Sequence, residues 1–212
     1  MSNSDSTALA PKAQNRPRPV IGRESLNAPN LVTGVRLLLS IVLFSMISMG
    51  GWWIASAALF VIAASTDALD GYLARKYQQI TVLGRIMDPF VDKVIVCGTF
   101  VFLLEKQGQT SATLDSGVTA WMVIIIIGRE MFVSSLRGIL EKEGKDFSAN
   151  LVGKLKMALQ CVAVTASLLS LSEELPWTWL PTVRDGLLWL AVGVTIWSGL
   201  VYLIRGFRLL RG

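Results

Sequence analysis

The chain contains no histidine and only two cysteines in its 212 residues. Without an imidazole it lacks the commonest general base and the usual zinc ligand, so any proton transfer must use another side chain. Cys97 and Cys161 each lie inside an apolar run, where we expect packed thiols and neither a disulfide nor a metal site. Charged residues are also scarce, at 17% against 52% hydrophobic residues. This balance is too apolar for an ordinary soluble domain and predicts a membrane protein.

The chain shows no sustained alternation of apolar and polar residues, which argues against β-strands. It contains instead six apolar segments that each approach the roughly 20 residues needed to span a bilayer. They cover residues 31–49, 52–74, 84–104, 118–140, 151–171 and 183–207. We therefore predict an all-α integral membrane protein with six transmembrane helices in residues 27–212. Residues 1–26 are polar and have no apolar segment of the signal-peptide kind, so they predict a cytoplasmic tail that is disordered or lies on the membrane surface.

Basic residues decide the predicted orientation and partners. The net charge of +5 comes from residues that flank apolar segments, which fits anionic lipid headgroups or phosphorylated substrates and not nucleic acid. With six spans, all of the 20 Lys and Arg except Lys106 and Arg184 fall on the side that carries both termini. The positive-inside rule then places both termini in the cytoplasm. Aromatic residues near the segment ends are expected to be interfacial anchors: Trp52, Trp53, Trp177, Trp179 and Tyr202.

Four aspartates stand at the facing ends of the second and third segments. Asp67 and Asp70 are three apart, and Asp88 and Asp92 are four apart, so each pair lies on one face of a helix. Two antiparallel helices would bring the four carboxylates together. Charges at membrane depth are costly unless neutralised, and a divalent cation is the simplest neutraliser. An all-oxygen ligand set favours Mg²⁺, Mn²⁺ or Ca²⁺ over zinc. Two other interpretations stay open: a transport pathway for ions or protons, and solvated helix ends.

Small residues line the same helix faces. Gly71 and Ala74 each follow an aspartate by four positions, and Gly71 inside a helix costs about 1 kcal/mol against alanine, so close approach by a helix or a ligand is expected. Arg75 is placed to neutralise a phosphate. Three polar residues spaced three apart open the first helix, and we weigh them evenly between helix capping and contacts in the pocket: Asn30, Thr33 and Arg36.

The spacing Asp-x2-Asp-Gly-x2-Ala-Arg-x8-Gly-x3-Asp-x3-Asp, from Asp67 to Asp92, resembles the signature of the CDP-alcohol phosphatidyltransferases at every position. The resemblance implies a reaction in which an alcohol attacks the lipid-side phosphorus of a CDP-linked lipid and CMP leaves. It implies Mg²⁺ or Mn²⁺ on the four aspartates, with Asp92 also the general base. It implies a homodimer in the cytoplasmic membrane with its active site facing the cytoplasm. The implied CDP-lipid site comprises Gly71, Ala74, Arg75, Gly84, Asn30 and Thr33.

Residues 27–36, 83–93 and parts of 128–156 resemble the phosphatidylglycerophosphate synthase branch of this family. This resemblance implies CDP-diacylglycerol as the donor and glycerol 3-phosphate as the acceptor. An anionic acceptor needs fixed cations, and the candidates are Arg129, Arg137, Lys154, Lys156 and Lys93. Flanking positive charge is the alternative role for most of them, and charge balance for Asp92 is the alternative for Lys93. Glu130 is a candidate partner of Arg129, although neighbours in sequence do not face each other on a helix.

Other functions remain open on the sequence alone. An enzyme of the same fold could use another acceptor, either phosphatidylglycerol, as a cardiolipin synthase does, or an inositol phosphate. An ion-coupled transporter is the alternative outside this class of enzymes, because buried carboxylates also line transport pathways.

Overall fold

The computed structural model describes residues 28–77, 82–108, 114–142, 151–175 and 177–211, without the side chains of 28–30, 67–86, 88, 141–142, 151–152, 154 and 210–211. Within these ranges the chain forms six α-helices and no strand. They are α1 Ala28–Met49, α2 Trp53–Tyr77, α3 Val82–Glu105, α4 Ala120–Lys142, α5 Leu151–Ser170 and α6 Leu180–Arg211. The all-α prediction is confirmed for the described part, and each segment matches one helix.

Two glycines make the connection between α1 and α2 very short. Gly50 and Gly51 have φ values of 74° and 84°, a left-handed conformation that glycine adopts without steric cost. The Gly50 amide still donates to the Met46 carbonyl at 3.0 Å, which closes the last turn of α1. The chain therefore reverses within three residues, and α2 returns against α1.

Close packing of α1 on α3 sets the geometry of the site. The rings of Phe44 and Phe102 stack at 5.0 Å between centroids, and a Cβ at Gly98 would overlap the Phe44 ring. Glycine therefore allows the close approach of the two helices at this point. The apolar core includes residues next to this contact, since Leu43 on α1 and Phe100 on α3 are buried. The contacts between α3 and α1 fix the position of one helix against the other.

The outer faces of several helices are apolar. Among the described residues, two helices, Leu31–Met49 and Leu180–Leu209, are long and apolar enough to cross a membrane, and two shorter apolar helices cover Trp53–Thr66 and Leu155–Ser170. Large apolar side chains remain exposed, including Trp121 at 74%. Exposed apolar surface of this extent is unusual for a soluble monomer and fits a hydrocarbon environment. Together with the apolar helices, this surface suggests a membrane protein.

The contact at Gly98 can be tested by adding one methyl group. We expect Gly98→Ala to lower the free energy of unfolding by about 1–3 kcal/mol, because the new methyl overlaps the Phe44 ring. Gly193→Ala is the matched control, since no atom lies within 4 Å of its added Cβ and alanine favours the helix. Thermal unfolding in detergent measures both variants. Equal or higher stability of Gly98→Ala than of Gly193→Ala would contradict the packing.

Candidate active site

One arginine connects three helices at the level of the aspartates. Arg36 on α1 is 2% exposed, and its Nη1 donates to Asp92 Oδ1 on α3. Its Nε donates to Thr66 Oγ1 on α2 at 3.3 Å. Thr66 immediately precedes Asp67, so Arg36 connects the start of the aspartate pattern on α2 with its last residue on α3. Of the two roles weighed for Arg36, contact within the site is the one that the structure supports.

The helix backbones place the two aspartate pairs at matching positions. Asp67 precedes the end of α2 at Tyr77, and Asp92 follows the start of α3 at Val82, by the same ten residues, or about 15 Å of helix. Asp70 and Asp88 lie between them and that end. Because Arg36 contacts both Thr66, next to Asp67, and Asp92, the backbones of these two aspartates lie at one level of the bundle.

The side chains of several predicted site residues lie outside the described residues. The described side chains include no group of three or more His, Cys, Asp or Glu that would hold a metal ion. The metal site and most of the CDP-lipid site therefore stay predictions. The residues concerned are Asp67, Asp70, Gly71, Ala74 and Arg75 on α2, Gly84 and Asp88 on α3, Asn30 on α1 and Lys154 on α5.

Asp92 borders a cavity of about 330 Å³ between α3, α4, α5 and α6. The Asp92 side chain is 25% exposed, and its partner Arg36 is nearly fully buried. Four of the five predicted acceptor cations line this cavity: Lys93, Arg129, Arg137 and Lys156. These cations come from three helices, so the fold and not local sequence brings them together.

Glu130 links two of the cavity cations. Its Oε1 accepts hydrogen bonds from Arg129 Nη1 at 3.2 Å and from Lys156 Nζ. All three side chains are largely buried. The Arg129 guanidinium also lies over the Tyr202 ring, 5.3 Å from its centroid, which is cation–π distance. The long side chains of Arg129 and Glu130 thus allow a hydrogen bond between sequence neighbours, although such neighbours do not face each other on a helix.

The cavity has an excess of cationic groups and unused donors. Its four cations face two carboxylates, Glu130 and Asp92, and Asp92 is already paired with Arg36. The Nε atoms of Arg129 and Arg137 are buried and have no hydrogen-bond partner among the described residues. Buried donors without acceptors are costly, and a phosphate matches guanidinium geometry. The arrangement favours an anionic ligand.

A model of the CDP-alcohol phosphatidyltransferase family matches residues 26–197. The chain belongs to this family. It is 34% identical over 200 residues to the CDP-diacylglycerol–glycerol-3-phosphate 3-phosphatidyltransferase of Bacillus subtilis, covering 87% of this chain and 97% of the relative. The enzyme of the same name from Pseudomonas fluorescens is 32% identical over 180 residues, covering 84% and 89%. A cardiolipin synthase (CMP-forming) of Oryza sativa is 36% identical over 196 residues, covering 87% of this chain and 59% of the relative.

Tyr202 corrects one sequence prediction for this CDP-alcohol phosphatidyltransferase. We expected an interfacial anchor, but Tyr202 is 1% exposed and lines the cavity. A Cβ at Gly153 would lie 3.1 Å from the Tyr202 hydroxyl, so glycine on α5 leaves room for the ring. The helix α6 continues to Arg211, which puts Tyr202 well inside it. Trp52, Trp177 and Trp179 are exposed beside helix ends, and their interfacial anchoring stays a prediction.

Further site residues were not predicted from the sequence. Gln160 lines the cavity as a buried amide, and no local pattern sets it apart from a core residue of α5. Thr33, in contrast, was predicted for the CDP-lipid site; it is buried one turn before Arg36 on α1, and its role there stays a prediction. Glu130 belongs to the cavity wall itself. For Arg36, the three-residue spacing with Thr33 was a usable signal, but it did not identify Asp92 as the partner.

The bridge made by Arg36 can be tested by two substitutions. We expect Arg36→Met to lower the free energy of unfolding by about 2–3 kcal/mol, because it removes a buried charge-assisted hydrogen bond and leaves Asp92 without that cation. Thr66→Val removes the weaker hydrogen bond from Arg36 and also the bond that Thr66 Oγ1 donates to the Ala63 carbonyl at 2.7 Å within α2, and it should cost about 1 kcal/mol. Chemical unfolding in detergent gives both values. An Arg36→Met protein no less stable than Thr66→Val would show that the ion pair contributes nothing.

Proposed function

We propose that this chain transfers the phosphatidyl group of CDP-diacylglycerol to glycerol 3-phosphate, giving phosphatidylglycerophosphate and CMP. The observation that carries the proposal is the cavity beside Asp92, with its four cations and two guanidinium nitrogens that have no partner in the described part of the chain. A phosphate monoester supplies the anion that this cavity favours. The names of the Bacillus subtilis and Pseudomonas fluorescens relatives support the same reaction.

The acceptor would lie with its phosphate among the cavity cations and its hydroxyl towards Asp92. Arg129 and Arg137 offer buried N–H donors, and Lys156 adds charge beside them. In the reaction the hydroxyl oxygen bonds to the lipid-side phosphorus, and the bond from that phosphorus to the oxygen of CMP breaks. The proton of the hydroxyl passes to the Asp92 carboxylate, and CMP leaves with the bonding electrons. Arg36 fixes the orientation of Asp92 through its hydrogen bond.

We propose further that Asp67, Asp70, Asp88 and Asp92 hold Mg²⁺ or Mn²⁺. The fit rests on the all-oxygen donor set, which suits these ions, and on the matching backbone positions of the pairs on α2 and α3. When bound, such an ion would neutralise the charge of the diphosphate and of departing CMP. The CDP-lipid side would use Arg75 for charge, with space and polar contacts from Gly71, Ala74, Gly84, Asn30 and Thr33.

We propose six membrane spans with both termini and the active site on the cytoplasmic side. The two exceptions to the charge rule support this orientation, because both bind protein carbonyls. Lys106 Nζ donates to the Ser48 carbonyl at 3.0 Å, and Arg184 Nη1 donates to the Asp115 carbonyl. Hydrogen bonds within the protein therefore account for these two cations on the outer side, where the charge rule expects few. A homodimer is proposed by family analogy.

A cardiolipin synthase is the second candidate function, because the Oryza sativa relative carries that name. Its acceptor, phosphatidylglycerol, bears a phosphodiester with one negative charge. The cationic excess of the cavity fits the greater charge of a phosphate monoester better. Family membership argues against the transporter alternative.

The proposed function is tested by supplying the purified protein with CDP-diacylglycerol, Mg²⁺ and one alcohol at a time. The panel is glycerol 3-phosphate, phosphatidylglycerol, inositol phosphate and glycerol, and CMP release is followed. We expect glycerol 3-phosphate to give the fastest release, at least about tenfold above the others, since a site built for a phosphate rejects analogues lacking it. Release with phosphatidylglycerol alone would assign the chain to the second candidate.

Arg129 is the cation whose role in acceptor binding is most directly tested. We expect Arg129→Ala to raise the KM for glycerol 3-phosphate by about 10- to 100-fold, the loss of one charge-assisted contact. The KM for CDP-diacylglycerol should change less than about twofold, because the donor lies on the other side of Asp92. Lys106→Ala is the control, as it removes a cation on the outer side. An unchanged acceptor KM would exclude Arg129 from the acceptor site.

A further inference from the structure

Gln160 provides a neutral polar group in the wall of the acceptor cavity. It follows Lys156 by one turn of α5, about 6 Å along the helix, and it lines the cavity although the whole residue is only 1% exposed. Its Nε2 donates to Thr195 Oγ1 on α6 at 3.0 Å, and Thr195 is itself buried. Because the amide nitrogen is engaged, the carbonyl oxygen Oε1 is the side-chain atom left to accept a hydrogen bond from a ligand.

The other polar groups of the cavity suit different parts of an acceptor. The cations suit a phosphate, and Asp92 suits the hydroxyl that reacts. Ser134 also lines the cavity, but its Oγ donates to the Glu130 carbonyl at 2.6 Å within α4. Gln160 therefore presents a neutral acceptor held in one orientation, which is the group that a non-reacting hydroxyl requires.

We propose that Gln160 recognises the secondary hydroxyl of the acceptor and that Thr195 is its positioning residue. The inference rests on the proposed function, because it names the group that selects glycerol 3-phosphate among phosphorylated alcohols. An acceptor without this hydroxyl leaves the buried Oε1 unpaired once the cavity is filled. A site built to bind a hydroxyl rejects the analogue that lacks it for this reason.

A purely structural role for Gln160 makes a different prediction. The hydrogen bond between Gln160 and Thr195 also joins α5 to α6, as buried polar pairs do in membrane bundles. Loss of that contact alone would impair every acceptor to the same degree. The selectivity between two acceptors thus separates recognition from stabilisation.

The experiment compares glycerol 3-phosphate with 3-hydroxypropyl phosphate, which keeps the phosphate and a primary hydroxyl and lacks the secondary one. CMP release at saturating CDP-diacylglycerol gives kcat/KM for each acceptor. We expect the wild-type protein to prefer glycerol 3-phosphate by about 10- to 100-fold. Gln160→Met should lose this preference, with kcat/KM for 3-hydroxypropyl phosphate changed less than about threefold.

Two further variants complete the test. Thr195→Val should reduce the preference partially, by about threefold or more, because it releases the amide, and it carries the test if Gln160→Met does not fold. Ser198→Ala is the control, since it removes a buried hydroxyl that donates to the Thr195 carbonyl at 2.9 Å, and it should keep the preference of the wild-type protein.

The outcomes separate this inference from the proposed function. Equal losses for both acceptors in Gln160→Met, with the preference retained, would overturn the role of Gln160 and leave the proposed function intact. A wild-type protein that uses both acceptors equally well would also overturn the role of Gln160 and leave the proposed function intact. CMP release with neither phosphorylated acceptor, but with another alcohol of the panel, would overturn both.

Discussion

A guanidinium from α1 lies between a hydroxyl on α2 and a carboxylate on α3, and the rest of the site depends on this arrangement. Arg36 is almost completely buried, so its charge requires the partners Thr66 and Asp92 that it contacts. Moving α3 away would break a buried ion pair, which costs several kcal/mol, and moving α2 away would break the hydrogen bond to Thr66, which costs about 1 kcal/mol. The bridge therefore holds the two halves of the aspartate pattern at one level.

Asp92 is the point where two chemically different regions meet. On one side, α2 and α3 carry the aspartates that we assign to metal ions and the CDP-lipid. On the other side lies the cavity, whose cations come from α3, α4 and α5. Glu130 pairs with Arg129 and Lys156 there, so these two cations are held in fixed positions, and the cations of the cavity still exceed its carboxylates. In the proposed function, this separation of charge would let one site bind a diphosphate and a phosphate at the same time.

Much of this fold and part of the site could be predicted from the sequence, because both are expressed locally. Segments of about 20 apolar residues identify the helices, and short spacings identify the aspartate pattern. The partner of Arg36 could not be predicted, since Asp92 is 56 residues away and only helix packing brings the two together. Tyr202 was wrongly placed because its position near a segment end says nothing of the helix face it occupies. Gln160 carries no local signal that distinguishes it from a core residue.

The central claim is that aspartates on two helices act on the same bound cations. Mn²⁺ titration followed by electron paramagnetic resonance tests it most directly, on the purified wild-type protein and on Asp70→Asn and Asp88→Asn, with the exposed Glu173→Gln as control. The account predicts that each aspartate substitution alone weakens Mn²⁺ binding by about tenfold or more, the loss of one charged ligand, and that the control binds normally. Full Mn²⁺ affinity in either aspartate variant would show that the two helices do not share a cation site.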